Sequence, residues 1–495
     1  VTTYLVSFLI AFLAAVLLTP AMIRIATRLG AFDDSAASHR KIHAGDIPRL
    51  GGIAIVLSFY TPIVGLSVYN TRVGDAVLGD PQLTLGLLGG GLLIPALGMY
   101  DDLREASPKL KFAVQIGAAL WVASMGFRID RIDLPFLPMF DLGLLSIPVT
   151  VFWIVGITNA VNLIDGLDGL AAGMALFGIA PMMVLAISKG NLVLALICCC
   201  LAGAVLGFLV FNFHPARIFM GDTGSMFLGF VLAVVTVATS HKGRVAVAML
   251  TPVLALGLPI LDTLLAIARR AWFGQSLFVG DRQHIHHRLL ASGHSHRGAV
   301  LVMYGFASVF ALLGLAVHFN RDQESALLFG LSLLVAGVLL RKVGYLAMPT
   351  TVGGEIGAAA AIRARNKLVG QAIPRMQEQL AYAADVEAAC AHASVLAWTA
   401  GADSATLELH DAGPAQPTRT WHWREPTTGT DLMQQCFVLR TTDRRTVGVL
   451  RVRWSQPAYH DAVLPRLEAG CADIADRLAA LLDARVEVEV GTASK

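Results

Sequence analysis

Eleven apolar stretches, each close to the length that crosses a bilayer, set the terms for this chain. They run over about 4–24, 50–69, 83–100, 111–127, 145–161, 170–187, 191–211, 225–240, 246–267, 299–317 and 324–342. A bilayer core is about 30 Å thick and takes about 20 apolar residues in a helix. Inside lipid every backbone polar group must be satisfied within the protein, which confines such segments to helices. Only 15% of the residues are charged and 55% are hydrophobic, against about 25% charged in a soluble domain. The expected fold is an all-α polytopic membrane protein of about eleven transmembrane helices. The fifth stretch is the weakest, being short and started by Pro148. The first lacks a basic leader and an Ala-x-Ala site, so it reads as a retained span.

Odd-numbered spans exit on one side. The loops there (25–49, 101–110, 162–169, 212–224 and 268–298) carry Arg28, Arg40, Lys41, Arg49, Arg104, Lys109, Arg217, Arg269, Arg270, Arg282 and Arg288. The opposite loops carry Arg72, Arg128, Arg131, Lys189, Lys242, Arg244 and Arg321. The bias puts the first set in the cytoplasm, and every polar motif falls on that side. Cys198, Cys199 and Cys200 lie in an apolar run, while Cys390, Cys436 and Cys471 are scattered without CxxC spacing. That excludes a disulfide framework and a cysteine-built zinc module. The net charge of +3 gives no reason to invoke nucleic acid.

Composition changes after Tyr345. Residues 1–345 form the transmembrane domain, 346–370 a Gly- and Ala-rich linker with a basic cluster, and 371–495 a cytoplasmic soluble domain. In that last part, 371–400 reads as helical, strand-like runs cover 405–410, 435–440 and 446–454, and an amphipathic helix at about 462–484 follows. The order fits an α/β or α+β domain and resembles the GAF/PAS type of sensory or docking module.

A carboxylate at the centre of a membrane helix costs about 2.5–3.5 kcal/mol, so clusters of them belong at helix ends, lining a wet site. Asn159-Ala-Val-Asn162-Leu-Ile-Asp165-Gly-Leu-Asp168-Gly169 follows the fifth span. Asp165 and Asp168 share a face if the turn is helical and repel unless a cation or donors lie between them. Asp101-Asp102 stands at the exit of the third span, with Lys109 and Lys111 after it. Gly221-Asp222-Thr-Gly-Ser225 precedes the eighth span and suits an anion-and-metal site at a helix start. Upstream of it, Asn212-Phe-His-Pro-Ala-Arg217-Ile-Phe219 offers an amide, a cation and an aromatic face. His284-Ile-His286-His287-Arg288, near Arg282, lies in a long polar loop. Arg40-Lys-Ile-His43 and Pro48-Arg49-Leu-Gly-Gly52 flank the entry to the second span. Oxygen ligands beside phosphate favour Mg²⁺ or Mn²⁺ over zinc.

In motif content and order, RKxH, PxxGG, the Asp pair with SPKLKF, NAVNLIDGLDGLA, NFHPARIFMGDTGS and HIHHRL, the stretch from Arg40 to Leu290 resembles the polyprenyl-phosphate N-acetylhexosamine-1-phosphate transferases (glycosyltransferase family 4). The HIHH form resembles the WecA/TagO-like branch more than the related MraY branch. The soluble tail departs from the short WecA pattern. The resemblance implies transfer of N-acetylhexosamine-1-phosphate, GlcNAc-1-phosphate first, from a UDP-sugar to undecaprenyl phosphate with release of UMP. It implies a bacterial inner-membrane protein acting on the cytoplasmic face. Nothing in the resemblance explains the tail; apart from it, a homodimer is open to the chain, and the tail is expected to bind a regulatory or glycosyltransferase partner.

By that resemblance Asp222, Asn162 and Asp101 hold the metal. Asp101, Asp102, Asp165, Asp168, His284, His286 and His287 form the catalytic set. Arg40, His43, Lys109, Asn159, Asn212, Arg217, Phe219, Arg282 and Arg288 bind substrate, with Phe219 stacking on uracil. A phosphate monoester has a second pKa of about 6, so the lipid phosphate is already largely dianionic at neutral pH and needs positioning more than a general base. The rivals are the same chemistry on another UDP-sugar (GalNAc, a deoxy or amino sugar, or MurNAc-pentapeptide), a transporter, and a membrane-tethered sensor.

Overall fold

The computed structural model describes residues 2–32, 47–68, 72–79, 81–104, 106–132, 140–241, 250–273, 284–319, 322–342, 367–369, 371–399, 402–409, 419–423, 433–441, 446–454, 471 and 473–481. Arg40, Lys41, His43, Arg282 and nearly all of 346–370 lie outside the described residues. The chain divides into two compact units, Val1–Ala266 with Asp281–Ala347, and Ile267–Gly280 with Met348–Lys495.

The first unit is helical. Its elements are α1 Thr2–Leu29, α2 Gly51–Val68, α3 Arg72–Gly79, α4 Pro81–Arg104, α5 Pro108–Ser124, α6 Ser146–Ile164, α7 Leu170–Ser188, α8 Leu192–Asn212 and α9 Gly221–His241. They continue with α10 Leu250–Ala255, α11 Gly257–Phe273 (whose residues from Ile267 on are counted in the second unit), α12 Ile285–Ala291, α13 His296–Phe319 and α14 Asp322–Lys342. Two paired strands of two residues each, β1 Arg131–Ile132 antiparallel to β2 Phe140–Asp141, lie between α5 and α6. Among the described residues seven helices are long and apolar enough to cross a membrane (α1, α4, α6, α7, α8, α9 and α13), and Gly51–Leu66 is a shorter apolar helix. The chain is a multi-pass membrane protein.

Helix α9 is the central post. Every residue from Thr223 to Thr239 is buried, and α2, α4, α6, α7 and α8 pack on it. Its start is locked to that of α2, because Gly52 and Gly224 meet backbone to backbone: a Cβ on Gly52 would stand 2.1 Å from the Gly224 nitrogen. Gly51 and Gly52 donate their N–H groups to the carbonyls of Phe219 and Met220 at 3.0 and 2.8 Å.

Several expectations need correction. The third stretch runs further than expected: α4 continues to Arg104, so the Asp101-Asp102 pair at its exit lies in the last turn. Gly221–Ser225 does not precede the eighth span but forms the first turn of α9. The fifth stretch is not short: α6 has 19 residues, and Pro148 sits in its first turn, where a missing N–H costs nothing. The ninth stretch breaks into α10 and α11 around Leu256. Pro259 has no N–H to offer the Ala255 carbonyl, and Gly257 favours the break. The histidine motif is not loop throughout: His284 is the N-cap of α12, which carries His286 and His287.

In the second unit an antiparallel sheet has the order β4-β3-β6-β5, with β3 Ser404–Leu409, β4 Arg419–Trp423, β5 Met433–Arg440 and β6 Thr446–Trp454. Period-two alternation in β6 buries Leu450, Val452 and Trp454. Leu407, Leu409, Phe437 and Leu439 join them in one core with Met376, Leu380, Ile474 and Leu478. The helix expected over 371–400 is two helices, 371–381 and α15 Val386–Thr399. Asp385 divides them by accepting the Ala388 N–H at 2.7 Å as an N-cap. Strand β4 was not expected.

Candidate active site

The ends of α4, α5, α6 and α9 converge on one charged centre. Ser107 caps α5 by accepting the Leu110 N–H, and Pro108 occupies the first turn. That phase leaves Lys109 exposed and turns Lys111 inward. The Lys111 ammonium donates to Asp101 Oδ2 at 2.5 Å and to Asp222 Oδ2 at 2.7 Å. Asp101 Oδ1 also accepts the Ala106 N–H at 2.6 Å. Asn162, in the last turn of α6, donates through Nδ2 to Asp222 Oδ1 at 3.1 Å and to Ser225 Oγ at 2.9 Å. Asp101, Asp222 and Asn162, the three expected metal ligands, therefore share one centre with a lysine between the two carboxylates.

Asp102 points differently from its neighbour. It is buried, and its carboxylate caps α9: Oδ1 accepts the Asp222 N–H at 2.9 Å, and Oδ2 accepts the Thr223 N–H at 3.1 Å and the Thr223 hydroxyl at 2.7 Å. A negative group there also suits the positive end of the helix dipole. Arg49 donates twice to the Asp102 carbonyl, at 3.2 and 2.8 Å. Gly221 has φ +66°, and a Cβ there would stand 2.6 Å from either Asp102 oxygen, so only glycine fits under this cap.

The loop after α6 links this centre to a second one. Asp165 ends α6, its N–H donating to the Asn162 carbonyl. Burial first, then the negative charge of Asp222, Asp102 and Asp168, raises its carboxyl well above the usual carboxylate range. Asp168 is buried and accepts from the Ala216 N–H at 3.0 Å, with His214 Nδ1 at 2.7 Å from the same oxygen. Asn212 spends its amide on the backbone, accepting from the Gly169 N–H at 3.1 Å and donating to the Ile218 carbonyl at 2.9 Å. The Tyr304 hydroxyl donates to the Gly169 carbonyl at 2.5 Å. Phe219 is held by its backbone, donating to the Pro48 carbonyl and accepting from Gly51. Arg217 is exposed and lies 4.8 Å over the Phe211 ring.

A third group faces the same loop. His286 is buried, and neither ring nitrogen has a hydrogen-bond partner among the described residues. Its Nε2 lies against Gly166, 2.6 Å from where a Cβ would be. Burial, then the neighbouring His287 and His284, lowers its pKa well below the ordinary histidine value. His287 lies beside it, ring centroids 4.3 Å apart. Among the described residues no three His, Cys, Asp or Glu side chains converge as a ready-made metal cage. Two carboxylates and a carboxamide nonetheless fit Mg²⁺, which keeps water ligands and shares the rest of its shell with substrate phosphates.

Asn159 stands apart from these groups: its amide donates to Gln115 Oε1 at 2.6 Å and to the Val155 carbonyl at 2.7 Å. Lys111, Thr223, His214 and Tyr304 were not among the expected site residues. For Lys111 the Ser-Pro start of α5 was the available signal. Tyr304 reaches the loop from 135 residues away and left none.

Residues 84–240 match the glycosyl transferase family 4. Over 308 residues the chain is 40% identical to a probable undecaprenyl-phosphate N-acetylglucosaminyl 1-phosphate transferase of Bacillus subtilis, covering 62% of this chain and 83% of that protein. It is 36% identical over 342 residues to a decaprenyl-phosphate N-acetylglucosaminephosphotransferase of Mycobacterium tuberculosis, covering 63% and 82%. It is 32% identical over 338 residues to a phospho-N-acetylmuramoyl-pentapeptide-transferase of Shouchella clausii, covering 64% and 97%. The chain belongs to glycosyl transferase family 4.

Proposed function

We propose that this protein transfers N-acetylglucosamine-1-phosphate from UDP-N-acetylglucosamine to undecaprenyl phosphate and releases UMP. The observation that carries the reading is the convergence of four helix ends on Asp101, Lys111, Asn162 and Asp222, in a chain whose relatives at 40% and 36% identity bear names for this activity. In the reaction a lipid-phosphate oxygen bonds to the sugar-linked phosphorus. The bond from that phosphorus to the bridging oxygen breaks, and the electron pair leaves with UMP.

Residues of this chain supply most of what that step needs. Asp222, Asp101 and the Asn162 carbonyl would hold Mg²⁺. When bound, the ion neutralises charge that builds on the diphosphate. The Lys111 ammonium adds a second positive charge at the same point and bridges Asp101 and Asp222, offsetting their mutual repulsion. Asp102 holds the first turn of α9, and so Asp222, in place. Asp168 and His214 brace the loop that carries Phe219, which stacks on the uracil. His286, buried and neutral, contributes ring nitrogens to phosphate or sugar hydroxyls beside Gly166, with His287 and Arg288 alongside. The acceptor phosphate is dianionic near neutral pH, so no residue is needed to deprotonate it.

The polar ends converge at the cytoplasmic face of an eleven-span domain, 1–345, in a bacterial inner membrane; the distribution of Arg and Lys supports that orientation. Residues 371–495 form a GAF-like cytoplasmic domain that binds a regulatory or glycosyltransferase partner; the antiparallel sheet with helices on one core supports this.

The test is UMP release by purified protein in detergent with undecaprenyl phosphate, Mg²⁺ and a panel of UDP-sugars. Release with UDP-N-acetylglucosamine that needs both lipid and metal, and disappears in Asp222→Ala, is the expected result. Release with another sugar alone would reassign the donor, and none with any sugar would overturn the transferase reading.

A further inference from the structure

An acidic side chain lies inside a helix of a membrane protein with no part in the chemistry above. Asp262, on α11, is 1% exposed. A carboxylate withdrawn from water at that depth is costly unless paired and hydrogen-bonded. Both of its oxygens are used on one target. Oδ2 lies 2.9 Å from His284 Nδ1, and Oδ1 accepts the Ile285 N–H at 2.8 Å. Ile285 is the first residue of α12 and His284 is its N-cap. His284 makes no side-chain cap of its own, so Asp262 does that work from another helix.

We propose that Asp262 is a positioning residue of the active site: its carboxylate fixes the ring of His284 and the start of α12, and so sets where the histidine face meets the 165–169 loop. The geometry follows in steps. His284 is itself buried, so its orientation is decided by what it touches. With Asp262 accepting at Nδ1, the Nδ1 proton is held and Nε2 is the nitrogen left for other work. The His284 ring lies parallel to that of His286, 3° between planes and 5.8 Å between centroids. His286 in turn faces Gly166. A chain of contacts thus runs from Asp262 through His284 to His286 and ends on the Asp165–Asp168 loop. The seven-residue α12 is too short to hold its own register, since isolated helices below ~12–15 residues are marginal. The anchor has to come from outside it, and Asp262 is placed to supply it.

This inference rests on the transferase reading for its kinetic test and not for its structural one. The kinetic test is a double-substitution cycle in the full-length enzyme, measured as UMP release with UDP-N-acetylglucosamine, undecaprenyl phosphate and Mg²⁺. Asp262→Asn keeps size and one acceptor but removes the charge facing His284. It should lower kcat by ~10–100-fold, the usual cost of losing an orienting partner of a working histidine, with little change in KM for the lipid. In a His284→Ala background the same substitution should change kcat by less than ~3-fold, because contacting residues are not additive. Equal losses in both backgrounds, or a wild-type kcat per folded molecule, would overturn the proposal. The structural test is amide hydrogen exchange over 284–291, where Asp262→Asn should lose protection selectively. Unchanged protection there would also overturn it. If the wild-type enzyme released no UMP, the transferase reading would fail, and the exchange result would still decide the role of Asp262.

Discussion

Removing the Asp102 carboxylate should damage stability before it damages chemistry. Three donors converge on that group, the N–H groups of Asp222 and Thr223 and the Thr223 hydroxyl, at 2.9, 3.1 and 2.7 Å. Asp102 is 6% exposed and Thr223 1%, so water cannot easily replace what is lost. Each buried donor left without a partner costs about 1–3 kcal/mol. Asp102→Ala should therefore cost on the order of 3–5 kcal/mol, allowing some water to reach the half-buried Asp222 amide. Asp102→Asn keeps one oxygen but turns an NH₂ toward other donors, and should cost about half as much. Thr223→Val removes only the hydroxyl and should cost about 1 kcal/mol. The assay is thermal unfolding in detergent, with UMP release per folded molecule on the same preparations. The expected order of melting temperatures is wild type, Thr223→Val, Asp102→Asn, Asp102→Ala, with Asp101→Asn above Asp102→Asn but deficient in UMP release. Wild-type melting for Asp102→Asn and Thr223→Val, together with lost UMP release in Asp102→Asn, would refute the capping argument and give Asp102 a chemical role.

Three further expectations concern single residues. Lys111→Met leaves Asp101 and Asp222 facing each other without the ammonium, and UMP release should fall by about 100-fold, the scale of losing one electrostatic stabiliser; a change under threefold would remove Lys111 from the site. Asp165 has a raised folded pKa, so the folded chain holds a proton that the unfolded chain releases above about 3.8. Stability is then lost as pH rises through the folded value. Asp165→Asn should melt higher than wild type at pH 7, by about 1 kcal/mol, with the gap narrowing toward pH 5 and UMP release reduced; a gap that widened on acidification would reverse the sign. Gly52→Ala puts a Cβ 2.1 Å from the Gly224 nitrogen, with backbone on both sides and nowhere to relax. Overpacking of this kind costs about 1–3 kcal/mol or more, so the variant should fail to elute as a single species in detergent; normal elution and melting would contradict the contact.

The apolar runs over α2, α7 and α8 were legible nearly to the residue, because each is bounded by charged, turn-forming or capping residues. So was the clustering of Asp101, Asp165, Asp168 and Asp222, since carboxylates at helix ends in lipid need a reason. What stayed hidden depended on helix phase or on a distant partner. Lys109 and Lys111 look alike as letters, and only the Ser107 cap decides which one turns inward. Asp101 and Asp102 look like a matched pair, yet consecutive residues on a helix point about 100° apart, and one faces Lys111 while the other faces α9. Asp262 sat unremarked in an apolar run, because its partner lies beyond residues that form no recognisable motif with it. Strand β4, Arg-Thr-Trp-His-Trp, carries too little aliphatic content to announce itself, and pairing with β3 is what holds it.

The span in sequence between partners bears on how the protein is made. Asp102 waits 120 residues for the amides it caps, Lys111 waits 111 for Asp222, and Asp168 waits 46 for His214. At a ribosomal rate of about 5–20 residues per second, α4 is in place roughly 6–24 seconds before α9 exists. For that interval Asp101 already has the Ala106 N–H and the Lys111 ammonium within reach, while the Asp102 carboxylate lacks the donors it will cap and has only water and headgroups for company. The charged centre of the site thus closes only once α9 is made, before α10 to α14 add the remaining seams of the bundle.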